Sequence, residues 1–285
     1  MSAAEKLNAN LPALGIVAGG GGLPRVLINA CQERGRPYFL LALEDAADAE
    51  TLTLAGDAHA TIRFGAIGKA LDLLRAHQVR EIVLAGKVTR PKLSTLRPDL
   101  KGAKLLARIG THMLSGDNEL LTTIVGFLEE EGFRVAGAEE IVRDLVAPEG
   151  MIGSIYPDKR AQADIEIGAR IARAIGALDV GQAVIIQNGQ VLGVEAIEGT
   201  DALIARCAPL KLEERGGVLV KVKKPQQERR VDLPTIGLAT IERVAECGFA
   251  GIALEAGASL ILNRREVMRR ADALGIFVVG FSILE

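Results

Sequence analysis

The sequence predicts an α/β protein in two parts. The first is a parallel sheet with helices on both faces, and the second is a mixed α/β unit. Two patterns predict this. Short apolar runs alternate with amphipathic segments through the first half, as in βαβ units. In the second half two β-rich runs flank Asn188-Gly189, a dipeptide that favours a two-residue hairpin turn. A chain of 285 residues suits two domains and buries a core without disulfide staples.

Residues up to about Asn10 read as a polar lead-in. Ala13 to Ala18 is the first strand, and Pro24 to Arg34 is a helix with Val26, Leu27 and Ala30 on one side. Pro37 to Leu43 and Ala60 to Phe64 are the next strands. A helix from about Lys69 to His77 follows, then a strand from Glu81 to Ala85. Asn118 to Glu131 places Leu121, Ile124, Val125 and Leu128 at helical spacing, and Phe133 to Ala136 is a short fifth strand. The stretch VAPEGMIGSIYPDKR, Val146 to Arg160, has two prolines, two glycines and little periodicity, so a domain boundary falls there. Asp164 to Ala177 is a helix, Ala183 to Ala196 the hairpin and Gly217 to Val222 a strand. Thr235 to Glu246 is a helix, Ala250 to Leu254 a strand, Arg264 to Leu274 a helix and Ile276 to Gly280 a strand.

Composition narrows the function. A net charge of −2 lacks the footprint of a nucleic-acid binder, and no Trp with two Tyr leaves few platforms for stacking bases. Cys31, Cys207 and Cys247 lie far apart, without metal-ligand spacing. They suit a reducing cytoplasm and read as small buried apolar residues. No apolar run reaches membrane-spanning length, so a soluble protein is expected.

Four glycines, Gly19 to Gly22, follow the first strand in GIVAGGGGLP. Glycines let backbone approach an anion, and the helix start near Pro24 adds unpaired N–H groups. A dinucleotide fingerprint wants G-x-G-x-x-G. Gly19 and Gly21 fit it, but Pro24 stands at the third position, with Glu44 and Asp45 available for a ribose. A tight turn without a ligand is the plainer reading. The next strand ends, FGAIGK and AGKVTRP, bring Lys69, Lys87 and Arg90 towards the same edge, where ligands of open α/β sheets gather. In SGDN, Asp117 reads first as a helix N-cap and second as a ligand residue. His59, His77 and His112 are scattered and receive no role.

The second half carries the denser polar set. Glu195, Glu198, Thr200 and Asp201 follow the hairpin. Lys221, Lys223, Lys224, Arg229 and Arg230 surround Asp232, and Glu255 ends an apolar strand. Carboxylates from separate segments with lysines between them are what phosphoryl chemistry on a diphosphate needs, and magnesium suits such a site. The plainer reading makes Glu195 and Glu198 surface charges and Asp232 the cap of a helix near Thr235.

The stretches GIVAGGGGLP, GAIGK, AGKVTRP, AIEGTDALI, KKPQQERRVDLPTIG and LEAGA run from the first strand to near the C-terminus. Together they resemble the LpxI-type UDP-2,3-diacylglucosamine pyrophosphatases of bacterial lipid A biosynthesis. EGTD followed by RVDLPTIG, with lysines between, is the specific part. The resemblance implies a Rossmann-like N-terminal nucleotide-binding domain, residues 1–148, and a mixed α/β C-terminal catalytic domain, residues 149–285. It implies hydrolysis of UDP-2,3-diacylglucosamine to UMP and 2,3-diacylglucosamine 1-phosphate (lipid X). Mg2+ or Mn2+, a homodimer and peripheral contact with the inner face of the inner membrane are implied with it. Asp232 becomes catalytic and metal-binding, with Asp201 as the second metal ligand and Glu198 and Lys224 in the catalytic set. Thr200, Lys221, Gln227, Arg230 and Glu255 join Gly19, Gly20, Gly21, Gly22, Lys69, Gly86, Lys87 and Arg90 in binding substrate. Asn118 departs from the family, which often carries an acid there. An NAD-dependent oxidoreductase and a non-catalytic nucleotide-binding protein are the competing readings.

Overall fold

A computed structural model describes residues 11–89, 96–110 and 117–283. Arg90, His112 and the Asp117 side chain lie outside what it describes. The chain divides into two compact units, residues 1–142 and 143–285.

In the first unit β1 (Ala13–Ala18), β2 (Tyr38–Leu43), β3 (His59–Ile62), β4 (Val79–Ala85) and β5 (Arg134–Val135) form one sheet in the order β3-β2-β1-β4-β5. Every pairing is parallel. Burial on both faces explains the near-continuous apolar runs of β1 and β2. The intervening helices are α1 (Leu23–Glu33), α2 (Ala49–Ala55), α3 (Ile67–Ala76), α4 (Leu100–Gly110), α5 (Asp117–Glu130) and α6 (Ala138–Ile141). The chain leaves β1 towards β2 and β3 on one side, and β4 leads to β5 on the other. The order therefore reverses between β1 and β4, and the crevice at their carboxyl ends is where such sheets take ligands.

The second unit holds β6 (Gly150–Met151), β7 (Ala183–Gln187), β8 (Gln190–Val194), β9 (Val218–Lys221), β11 (Gly251–Glu255) and β13 (Phe277–Phe281) in the order β6-β13-β11-β9-β7-β8. Strands β9, β11 and β13 run parallel, while β6, β7 and β8 pair antiparallel. A separate two-stranded ladder joins β10 (Thr235–Ile236) to β12 (Leu260–Ile261). Alternation along the strands divides the core. Val184, Ile186, Val218 and Val220 pack under α7 (Lys159–Ala177) through Ala161, Ile165 and Ala172. Ile185, Leu219, Ile252 and Leu254 face α8 (Thr200–Cys207), α9 (Leu238–Glu246) and α10 (Arg264–Leu274).

Asn188 and Gly189 both have positive φ, at 52° and 76°, as the expected hairpin turn requires. Four of the described helices went unforeseen: α2, α4, α6 and α8. The helix expected from Asp164 begins at Lys159 instead, because the Asp158 carboxylate accepts from the Ala161 N–H at 2.8 Å and caps it. The helix expected from Thr235 begins at Leu238. β-Branched Thr235 and Ile236 pair with Leu260 and Ile261, and Gly237 precedes the helix. Asp232 is therefore not its cap. Cys31 and Cys207 are buried and Cys247 is half-buried, with no disulfide. His77 stacks on Phe39 with ring centroids 3.8 Å apart. Among the described residues no helix is long and apolar enough to cross a membrane.

Candidate functional site

Topology brings one group of polar residues to a single edge of the six-stranded sheet. Parallel strands β9 and β11 end there, at Lys221 and Glu255. Antiparallel β7 begins there, and β8 ends there: Ala183 lies opposite Lys221, and Val184 opposite Val194. Gln182, Glu195 and Lys223 extend these strands by a residue or two. The Asn188-Gly189 turn closes the opposite edge.

Hydrogen bonds tie this group into a chain. The Lys221 ammonium donates to Thr200 Oγ1 at 2.7 Å, and the Thr200 hydroxyl donates to Glu195 Oε1 at 2.6 Å. Glu195 Oε2 accepts from the Gln182 N–H at 3.1 Å. The Gln227 amide nitrogen donates to Gln182 Oε1 at 3.3 Å and to Asp232 Oδ2 at 2.5 Å. Gln227 Oε1 accepts from the Lys224 N–H at 3.0 Å, which fixes the amide so that its NH2 faces Asp232. Lys221 is 3% exposed, and Glu195 and Gln227 are 6% exposed each. Burying an ammonium or a carboxylate alone costs several kcal/mol, so the two offset one another across the hydroxyl.

The remaining expected residues have other partners. Lys224 Nζ pairs with Asp179 at 2.7 Å. Glu255 accepts from the Lys223 N–H at 2.7 Å. Arg230 forks onto Glu228 with two bonds of 2.9 Å, and that contact holds the Glu228 carboxyl below its usual range. Glu198 turns to Arg206, at 2.8 Å. Hydrogen bonds from its own backbone and from Arg206 keep its carboxyl below the usual range. Asp201 is exposed in the first turn of α8. Thus Thr200, Lys221, Gln227 and Asp232 come together, with Glu195, which had also read as a surface charge, buried among them. Gln182 and Asp179 carried no motif that would have marked them in advance. Among the described residues no three His, Cys, Asp or Glu side chains converge as a metal cage.

In the first unit the loops after β1 and β4 are stitched together. The Gly20 N–H donates to Lys87 O at 2.9 Å, and the Lys87 N–H donates to Gly20 O at 2.8 Å. A Cβ on Gly19 would lie 2.3 Å from Lys87 O. Gly86, at φ +94°, would place one 2.5 Å from Gly20 O. These glycines permit the two loops to touch. Gly21 faces open space at φ +93°, but its N–H donates to Asp48 Oδ2 at 2.7 Å. The N–H groups of Gly22 and Leu23, at the start of α1, have no intrahelical acceptor. At α3, the Gly68 and Lys69 N–H groups donate to Asp99 Oδ2 at 2.7 and 3.3 Å.

Comparison with known proteins covers both units. The family model described as the LpxI N-terminal domain matches residues 13–145, and that of the LpxI C-terminal domain matches residues 148–279. A relative from Caulobacter vibrioides, named UDP-2,3-diacylglucosamine pyrophosphatase LpxI, is 42% identical over 273 residues, covering 94% of this chain and 96% of that one. Among solved structures, the N5-carboxyaminoimidazole synthetase of Staphylococcus aureus aligns over 69% of this chain and 43% of that one. Its identity is 14% and its TM-score 0.24, too slight a likeness to carry an argument.

Proposed function

The chain belongs to the LpxI family, and from that membership we propose that it hydrolyses the diphosphate of UDP-2,3-diacylglucosamine in lipid A biosynthesis. The products are UMP and 2,3-diacylglucosamine 1-phosphate. The observation that carries this reading is the hydrogen-bonded chain from Lys221 to Asp232 at one sheet edge, which joins Thr200 of the EGTD segment to Asp232 of RVDLPTIG. A diphosphate ester carries two negative charges and gains more when the bridging bond breaks. Lys221, and Lys224 once drawn from its pairing with Asp179, would offset that charge, and uncatalysed cleavage is slow enough that such stabilisation must supply most of the rate. Asp232, held by Gln227, orients the attacking water towards phosphorus.

Mg2+ or Mn2+ fits this donor set in one mode. Magnesium commonly takes one or two carboxylates, the substrate's phosphate oxygens and several waters, and so needs no cage of three acidic side chains. Asp232 and Asp201 would hold it, and it would stabilise charge on the leaving phosphate. Gly22 and Lys87, at the paired loops after β1 and β4, and Lys69, at the start of α3, would contact the UDP group. Two copies form the working dimer, and it meets its lipid substrate at the cytoplasmic face of the inner membrane by peripheral contact. The dinucleotide reading is weaker: Pro24 replaces its third glycine, and the Gly20 and Gly21 N–H groups are already bonded within the protein.

Hydrolysis in 18O-water tests the chemistry. The family resemblance implies attack at the sugar-side phosphorus, so one 18O atom is expected in 2,3-diacylglucosamine 1-phosphate and none in UMP. Chelation should lower turnover by about 100-fold or more, and added Mg2+ or Mn2+ should restore it. Label in UMP would reverse the site of attack. Full turnover in chelator would remove the metal.

A further inference from the structure

We propose that Glu195 is a positioning residue that fixes the Lys221 ammonium through the Thr200 hydroxyl. The inference deepens the function proposed above and rests on it for its catalytic meaning, though its geometry stands alone. Glu195 sits one residue beyond β8, and its backbone is pinned. Its N–H donates to Ala183 O at 2.8 Å, and a Cβ on the facing Gly181 would lie 2.0 Å from its carbonyl oxygen. Both carboxylate oxygens accept, one from Thr200 and one from the Gln182 N–H.

Direction follows from donor arithmetic. A carboxylate cannot donate, so the single Thr200 proton goes to Glu195. The Thr200 oxygen is then left to accept from Lys221, which lies opposite Ala183 on the neighbouring strand. The carboxylate thus sets the rotor of a hydroxyl, and the hydroxyl sets an ammonium buried at 3% exposure. The Thr200 contact expected with substrate is spent inside the protein. Gln182, bonded to Glu195 through its N–H, also receives the Gln227 amide that holds Asp232. Glu195 therefore stands between the supports of Lys221 and of Asp232. Glutamine at 195 offers one acceptor where two donors point, so either the Gln182 bond is lost or the Thr200 hydroxyl must turn away and accept from the new amide, which resets the rotor that Lys221 meets.

The test uses the full chain, 15N-labelled at lysine, without substrate. A buried, hydrogen-bonded Lys221 ammonium should give a slowly exchanging NMR signal, assigned by its loss in Lys221→Met. Glu195→Gln and Thr200→Val should each remove or shift that signal, with the thermal midpoint lowered by only a few degrees. Turnover should show kcat down by about tenfold and KM within about threefold. If Glu195→Gln does not fold, Thr200→Val carries the test. A wild-type protein without the signal, a signal unchanged in the variants, or reduced stability with unaltered kcat would each overturn the proposal. Wild-type protein without turnover would count against the function instead, and the ammonium signal would still decide the role of Glu195.

Discussion

Asp232→Ala should lower kcat by about 1,000-fold or more while substrate affinity stays within about fivefold. The carboxylate lies at the end of the hydrogen-bonded chain, and Gln227 orients it from a buried position. On the proposed mechanism its removal takes away the group that would orient the water and hold the metal, and leaves the lysines that would hold the diphosphate. The fold should survive. One amide hydrogen of Gln227 loses its partner, a cost of about 1–3 kcal/mol. Asp232→Asn keeps an acceptor for Gln227 and removes the charge, so it should be nearly as inactive and closer to wild type in stability. Turnover and circular dichroism check both variants. Activity within a few-fold of wild type would take Asp232 out of the mechanism.

Gly19→Val should destabilise the first unit by about 3 kcal/mol or more, with or without nucleotide present. Even the first carbon of the new side chain would meet the Lys87 carbonyl at 2.3 Å. That atom belongs to backbone paired with Gly20, so it cannot swing aside. Gly21→Ala meets open space and carries only the strain of φ +93°, a cost of about 1–2 kcal/mol. Chemical denaturation of the two variants separates loop packing from ligand approach. Equal stability of Gly19→Val and wild type would show that the loops can part freely.

The parallel sheet of the first unit was legible because β1 and β2 are buried on both faces and read as unbroken apolar runs, and β4 does so from Ile82 to Ala85. β10 was hidden for the opposite reason. It spans two residues, and its partner lies 25 residues away, so Thr235 and Ile236 looked like the start of the helix behind them. The unforeseen α8 spans eight residues, too short a window for helical periodicity to stand out beside the charges of EGTD.

The site was legible by residue type and less so by partner. EGTD drew weight to Glu198, yet Arg206, eight residues on, takes that carboxylate. Glu195 is the carboxylate that turns inward, and only the pairing of β7 with β8 and β9 brings it opposite Lys221's strand. The glycine run looked like a phosphate cradle because close approach needs glycine whatever does the approaching. In the structure the approaching atoms include the Lys87 carbonyl and the Asp48 carboxylate. Spacing cannot tell a ligand from another loop.

The most direct test of the central claim is turnover of UDP-2,3-diacylglucosamine by the purified chain with Mg2+. UMP and 2,3-diacylglucosamine 1-phosphate should appear in equal amounts, and Asp232→Ala should give neither at a comparable rate. An intact substrate, under conditions where a known pyrophosphatase of this specificity consumes it, would contradict the account.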